Sequence, residues 1–423
     1  MRQYIFTVIT TRRVALRLAQ LGELRYIHLV QLRELCDIYS TIMKTSTERI
    51  LTTHVGSLPR SKAVTDLVFA KEQGKEIDDA LFDHTIKKAV EAVVARQKKV
   101  GVDVVSDGEM SKISYATYIK DRITGFSGDS PRNPPKDLED FPGFLQRAAK
   151  GGGTPTYSRP CCVSAIEVQS ILPLNADILH FKAALEKHQP IDAFMNAASP
   201  GVIALFLPNK HYKTQDDYLE ALAEAMRVEY EAIAAAGFIL QLDSPDIGLG
   251  RHMIFKDKSE ADYVKLAEQH IEVLNHALRN IPADRVRMHV CFGNYEGPHH
   301  HDAPMSVVLP IALKAKPQGL LFENSNPRHA HEWTTFRDTK IPDDKILIPG
   351  VLDSTTNFIE HPELVAQRIE RFAAIVGKER VIAGTDCGFS TFAGFGAVDE
   401  DIVYAKLEAM AEGAAIASKR LWS

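Results

Sequence analysis

The sequence is short of several features that would point elsewhere. No run of about 18 apolar residues occurs, so no segment reads as a membrane-crossing helix. There is no long basic stripe, and 50 Lys and Arg against 55 Asp and Glu give a net charge of −5. Nucleic acid and membrane are therefore not expected partners. No Gly-x-Gly-x-x-Gly follows the first strand candidate, so an open doubly wound sheet would lack its nucleotide signature. Tryptophan is limited to Trp333 and Trp422. Cysteine comes to an odd 5, at Cys36, Cys161, Cys162, Cys291 and Cys387. A disulfide framework favours an even, regularly spaced set. Scattered cysteines fit a reducing compartment, and a cytoplasmic location is expected.

What is present is ordinary in amount. Hydrophobic residues make up 45% and charged residues 25% of 423 residues, as in a soluble globular protein. That length allows two or three domains or one α/β barrel with insertions. Its core can be large enough to hold without a metal or disulfide. Residues 1–48 differ from the rest: Arg2, Arg12, Arg13 and Arg17 precede the first acid, Glu23, as in an acid-poor transit peptide. The expectation is an N-terminal extension over 1–48 and a catalytic domain over 49–423. Met43 opens the polar stretch Met43-Lys44-Thr45-Ser46 and is read as a real or alternative start, with residues 1–42 adding no function.

From residue 50 onward strands and helices alternate. Strand candidates are 51–57, 102–107, 193–196, 238–242, 286–290, 320–322, 346–348 and 381–383. A helix is predicted over 78–100, with Ile86, Val90, Val93 and Val94 at 3- and 4-residue spacing and Gly101 as its stop. Others are predicted over about 215–236, 259–280, 304–316, 361–376 and 399–418. Residues 121–160, with Pro131, Pro134, Pro135, Pro142 and Gly151-Gly152-Gly153, break the rhythm and read as an insertion over one face. Alternation of this kind means a parallel sheet. Eight units predict an α/β fold of the (β/α)₈ TIM barrel type, with an insertion after the second strand.

In such a barrel chemistry sits where the strands end. Those ends carry His54 and Ser57, Asp107 and Glu109, Asp243, His289 and Cys291, Glu323, Asp353, and Asp386-Cys387. His289-x-Cys291 puts both side chains on one face of a strand, because the strand period is two. His289, Cys291, Glu323 and Cys387 together form a donor set suited to tetrahedral Zn²⁺. The plainer alternative is cysteines that merely pack a core. A sulfur-rich zinc site favours activation of a bound thiol over activation of water.

Several stretches now resemble one family. His289-Val290-Cys291-Phe292-Gly293-Asn294-Tyr295 and Gly384-Thr385-Asp386-Cys387-Gly388 are similar to the zinc motifs of the cobalamin-independent methionine synthases. So are Val55-Gly56-Ser57, Asp107-Gly108-Glu109, Gln241-Leu242-Asp243 and Gly350-Val351-Leu352-Asp353 to other segments of that family, all in family order. The resemblance covers roughly residues 50–420 and matches the catalytic half or the short single-barrel members. It implies zinc on His289, Cys291, Glu323 and Cys387, with Ser57 on the substrate carboxylate and Glu109 and Asp243 on its ammonium. It implies methyl transfer to homocysteine in methionine biosynthesis.

Two departures bear on the methyl donor and on proton transfer. The folate-using members place a Trp after the third strand, whereas Ser199-Pro200-Gly201-Val202-Ile203-Ala204-Leu205-Phe206 has none. The alkyl donor is thus open between a folate, a methyl-corrinoid and an epoxide. His299, His300 and His301 follow the fifth strand, as proton-transfer groups, a second metal site or exposed polar residues. A second reading is epoxide opening by a sulfonate thiol, as in the related epoxyalkane–coenzyme M transferases. Arg60 and Arg251 would then meet the sulfonate, and the histidines or Tyr295 would protonate the alkoxide. A third is a non-catalytic zinc-binding barrel.

Overall fold

The computed structural model describes residues 42–130, 134–150 and 158–423. The expected extension over 1–48 thus lies outside the described residues except for 42–48. Ten strands occur among the described residues: β1 (Leu51–Thr52), β2 (Val104–Val105), β3 (Phe126–Ser127), β4 (Cys161–Cys162), β5 (Asp192–Ala198), β6 (Ile239–Asp243), β7 (Val286–Val290), β8 (Gly319–Phe322), β9 (Ile346–Leu352) and β10 (Ile382–Thr385). Eight of them form one parallel sheet in the order β1-β10-β9-β8-β7-β6-β5-β2. The Asp103 amide donates to the Thr52 carbonyl at 3.1 Å, and Thr53 Oγ1 donates to the Val104 carbonyl at 3.0 Å. These bonds bring β1 against β2 and close the ring, the predicted (β/α)₈ barrel. No helix among the described residues is long and apolar enough to cross a membrane.

The barrel interior is apolar toward the N-terminal ends of its strands. Leu51, Val104, Phe194, Ile239, Leu321, Ile346, Ile348 and Ile382 form one buried cluster there, together with Met43. Residues 43–46 close that end. The Met43 amide donates to the Asp284 carbonyl at 3.0 Å, the Lys44 amide to Asp192 Oδ2 at 3.0 Å, and Ser46 Oγ to the Val381 carbonyl at 2.6 Å. Higher up, Arg287 fills the barrel from β7. Its guanidinium lies 3.5 Å from the Phe194 ring centroid and donates to Gln241 Oε1, Thr53 Oγ1 and the His54 carbonyl. Three anchored acceptors and an aromatic face offset its burial.

The outer helices follow the expected stripes. Helix Asp79–Lys99 buries Ile86, Val90, Val93 and Val94, and Gly101 turns the chain at φ 86. Helix Gln215–Ala235 starts on a capping box between Thr214 and Asp217 and buries Leu219, Leu222, Met226, Tyr230 and Ile233. Helix Leu172–His188, not among the predicted helices, buries an apolar stripe of Leu174, Ile178, Phe181 and Leu185, and its buried positions also include Asp177, His180 and Lys182. Arg122 binds Asp177 at 2.7 Å, so ion pairing holds part of the face that hydrophobicity usually marks. The insertion after β2 is not featureless. It contains the antiparallel pair β3–β4 and the helices Lys136–Glu139 and Pro142–Lys150.

Candidate metal and substrate site

β7 carries His289 one residue before its end and its extension carries Cys291, while β10 runs into Cys387. Strand alternation turns His289 and Cys291 to the same side. Cys387 Sγ lies 3.6 Å from His289 Nε2 and 3.7 Å from Cys291 Sγ. All three residues are buried, both cysteines are free thiols, and the three ligand atoms lie within 4.8 Å of one another. Burial and the Arg287 guanidinium push the His289 imidazole down to about 3, so it is a neutral lone-pair donor at pH 7. The Cys291 thiol is pushed well up, first by its contact with Cys387, then by burial and by the Glu323 carboxylate.

Glu323, expected as a fourth member, stands beside this trio but outside its 4.8 Å cluster. Its Oε1 accepts from the Phe292 amide at 2.8 Å and its Oε2 from Asn326 Nδ2 at 2.8 Å. The Phe292 bond ties it to the residue after Cys291. Asp386, beside Cys387, is also committed: it accepts from the amides of Asn324, Ser325 and Asn326, each at 2.8 Å. The loops after β8 and β10 are thereby locked to each other.

A second group of polar side chains lines the ends of β1, β2, β5 and β6. Asp243 Oδ2 accepts from Asn196 Nδ2 and its Oδ1 from Gln241 Nε2, both at 3.0 Å. Asn196 Nδ2 also donates to the Val55 carbonyl at 2.9 Å. Glu109 is a non-glycine residue at φ 58, following Gly108 at φ 68. Arg60 holds that strained turn, donating through Nε and Nη2 to the Glu109 carbonyl at 3.1 and 2.6 Å. Arg60 Nη1 reaches the Ser390 carbonyl and hydroxyl. Burial raises Glu109 to about 7 and Asp243 to about 6, with Lys112 pulling both back. Glu109 Oε2 and Asn196 Oδ1 are buried acceptors without a hydrogen-bond partner among the described residues. Buried acceptors left open in this way call for a donor ligand. Ser57 belongs to the same rim: a Cβ on Gly388 would come within 2.1 Å of Ser57 Oγ, so only glycine permits that approach.

The three consecutive histidines face different ways. His299 faces inward at φ 52, stacks on Tyr295 at 4.4 Å and meets Asp302 Oδ2 at 2.9 Å. His300 and His301 face outward and meet Asp140 of the insertion. Asp302 is the centre of a buried network that sequence reasoning did not find. His329 Nε2 lies 2.9 Å and His252 Nδ1 3.1 Å from its carboxylate, and His329 Nδ1 meets Glu332 at 2.7 Å. His329 stacks on Phe292, the neighbour of Cys291, at 4.1 Å. The i,i+3 spacings His299/Asp302 and His329/Glu332 were the available signal.

The family model described as "Cobalamin-independent synthase, Catalytic domain" matches residues 50–131 and 202–415. A methionine synthase of Saccharolobus solfataricus is 27% identical over 376 residues, covering 88% of this chain and 95% of its own. One from Sulfurisphaera tokodaii is 25% identical over 372 residues, covering 88% and 93%. Among solved structures, a B12-independent methionine synthase from Shewanella sp. W3-18-1, in complex with selenomethionine, shares the fold. It aligns at TM-score 0.65 and 18% identity, over 88% of this chain and 99% of that one. The matched segments contain both halves of the trio and the strand ends around Glu109 and Asp243, and on this ground the chain belongs to the cobalamin-independent methionine synthase family, a family of methyltransferases.

Proposed function

We propose that this chain methylates homocysteine to methionine, with Zn²⁺ held by His289, Cys291, Cys387 and Glu323. The carrying observation is the convergence of one imidazole and two free thiols within 4.8 Å at the barrel mouth. Two sulfurs and a neutral imidazole suit zinc, and a dication would offset the repulsion that keeps Cys291 protonated. When bound there, zinc holds a substrate thiol as thiolate near neutral pH. The Phe292 amide and Asn326 keep the Glu323 carboxylate beside the sulfurs. Glu109 and Asp243 take the homocysteine ammonium, Glu109 Oε2 and Asn196 Oδ1 being open acceptors for its N–H groups. Ser57 takes the carboxylate. The thiol sulfur gains the methyl group as the donor–methyl bond breaks, and the thiol proton passes to solvent; His299, held protonated at about 9 with both ring nitrogens bonded, does not take it. Helix Pro200–Phe206 offers no tryptophan for a stacked pterin, which favours a methyl-corrinoid or another small donor over a folate.

The sulfonate-thiol reading is weaker. Arg60 is spent on the Glu109 and Ser390 carbonyls, and Arg251 Nη1 donates to the Phe255 carbonyl at 2.9 Å. The test is a thiol titration of the zinc-loaded protein with homocysteine and with coenzyme M, followed by zinc-edge spectroscopy. New zinc–sulfur ligation by homocysteine alone is the expected result. Ligation by coenzyme M alone would transfer the reading to epoxide chemistry. Zinc binding without ligation of either thiol would leave a non-catalytic barrel.

A further inference from the structure

The insertion meets the loop after β7 at a second cluster of ligand-type side chains. Asp140 follows helix Lys136–Glu139, and His300 and His301 lie in the β7 loop. His300 Nε2 stands 2.9 Å and His301 Nε2 2.6 Å from the same atom, Asp140 Oδ2. The three ligand atoms lie within 4.8 Å of one another. The two imidazoles are 4.2 Å apart, and Phe141 packs edge-on against His300 at 5.3 Å. The side chains of His300, His301 and Asp140 are 37%, 32% and 44% exposed, so ions from solvent can reach them.

We propose that Asp140, His300 and His301 form a second, surface metal site for a borderline divalent cation such as Zn²⁺, which staples the insertion to the β7 loop. Two imidazoles and one carboxylate match the donors such ions take, with water completing the shell. The site is assembled before any ion arrives. Asp137, fully buried, accepts from Tyr295 Oη at 2.7 Å and from the His299 amide at 3.0 Å. Glu139 meets Lys256 at 3.0 Å. The Asp137 contacts hold the insertion and the β7 loop in register one turn away from Asp140, so binding does not have to gather its ligands. His300 and Asp140 are 160 positions apart in sequence, and an ion joining them therefore ties together distant parts of the chain. Because the same loop carries Cys291, the staple fixes the insertion's first helix against the barrel mouth.

Co²⁺ distinguishes the two sites. On thiolates it gives an intense sulfur-to-metal charge-transfer band, and on imidazole and carboxylate it does not. Wild-type protein is expected to take one equivalent with that band and a second without it. The second equivalent should slow hydrogen exchange over residues 134–147 several-fold. H300A/H301A, and separately D140N, should keep the first equivalent and lose both the second and the slowing. Cys387→Ser should do the reverse at the first site, so failure of one site is readable apart from failure of the other. Uptake of only one equivalent by wild type, or a second equivalent retained by H300A/H301A, overturns the proposal.

Discussion

Cys387 Sγ lies 3.7 Å from Cys291 Sγ, although their strands β10 and β7 are separated in the ring by β8 and β9. The donor pair is thus assembled by barrel closure and by neither loop alone. Cys387→Ser is expected to cost more metal affinity than the roughly 10–100-fold lost when a ligand's hydrogen-bond partner is removed. Activity should vanish while the circular dichroism and unfolding midpoint stay near wild type. Metal content by mass spectrometry beside a thermal melt checks this; unchanged zinc content contradicts it.

Glu109 and Asp243 are expected to set the pH dependence of substrate binding. Burial raises them to about 7 and about 6, so the fold favours their protonated forms. Their contribution to stability is full below the ordinary carboxylate values and is lost as pH rises through that window. Ammonium binding needs the ionised forms, so homocysteine affinity should rise as pH climbs through about 6 and 7. Glu109→Gln should raise KM about 10–100-fold, from the ~1.5–3 kcal/mol of a hydrogen bond to a charged group. Calorimetric titration across pH checks both; a flat profile in wild type rejects the assignment.

Asp302 carries a structural load. Asp302→Asn leaves His299 and His329 short of their counter-charge and should destabilise the fold by about 3–5 kcal/mol, the cost of unpairing a buried charge. Burial pulls both rings down, but Asp302, joined at His329 by Glu332 and Glu323, outweighs it, and the rings are held at about 9 and about 10. Their stabilising contribution is therefore complete below 6.5 and is lost as pH rises through about 9 and 10. Urea unfolding at pH 7 and pH 10 should show that step in wild type and a smaller one in the variant.

The lower end of the barrel predicts where truncation is tolerated. A chain starting at Met43 is expected to fold and to work, because that residue and Ser46 close the barrel floor. A chain starting at Arg49 loses a buried methionine, worth about 2–5 kcal/mol, and the hydrogen bonds beside it. Equal melting temperatures for the two would contradict this role.

Much of this was legible in the sequence because strand ends, unlike loops, have a fixed place in a barrel. His289-x-Cys291 announces itself by the strand period, and Glu323, Asp243 and Cys387 each end a β-branched or apolar run. Helix Leu172–His188 was not read, although Leu174, Ile178, Phe181 and Leu185 form a stripe, because the exposed Leu172 and Leu179 beside it blur the pattern. The split of His299 from His300 and His301 was not readable either. It depends on one left-handed residue, His299, and on Asp137 and Asp140 arriving from the insertion. Asp302, His252 and His329 come from three loops; the i,i+3 pairs His299/Asp302 and His329/Glu332 are local signals, but no pattern joins the two pairs to each other or to His252.

The arc from β7 to β10 has a mechanical consequence. Two sulfurs that touch across four strands act as a chord on the rim of a ring. When the rim breathes outward, the chord opens before any strand pairing has to break. The spacing of Cys291 and Cys387 is therefore a gauge of how round the barrel mouth is at any instant. The rate at which a mild oxidant couples them would report how often the mouth contracts.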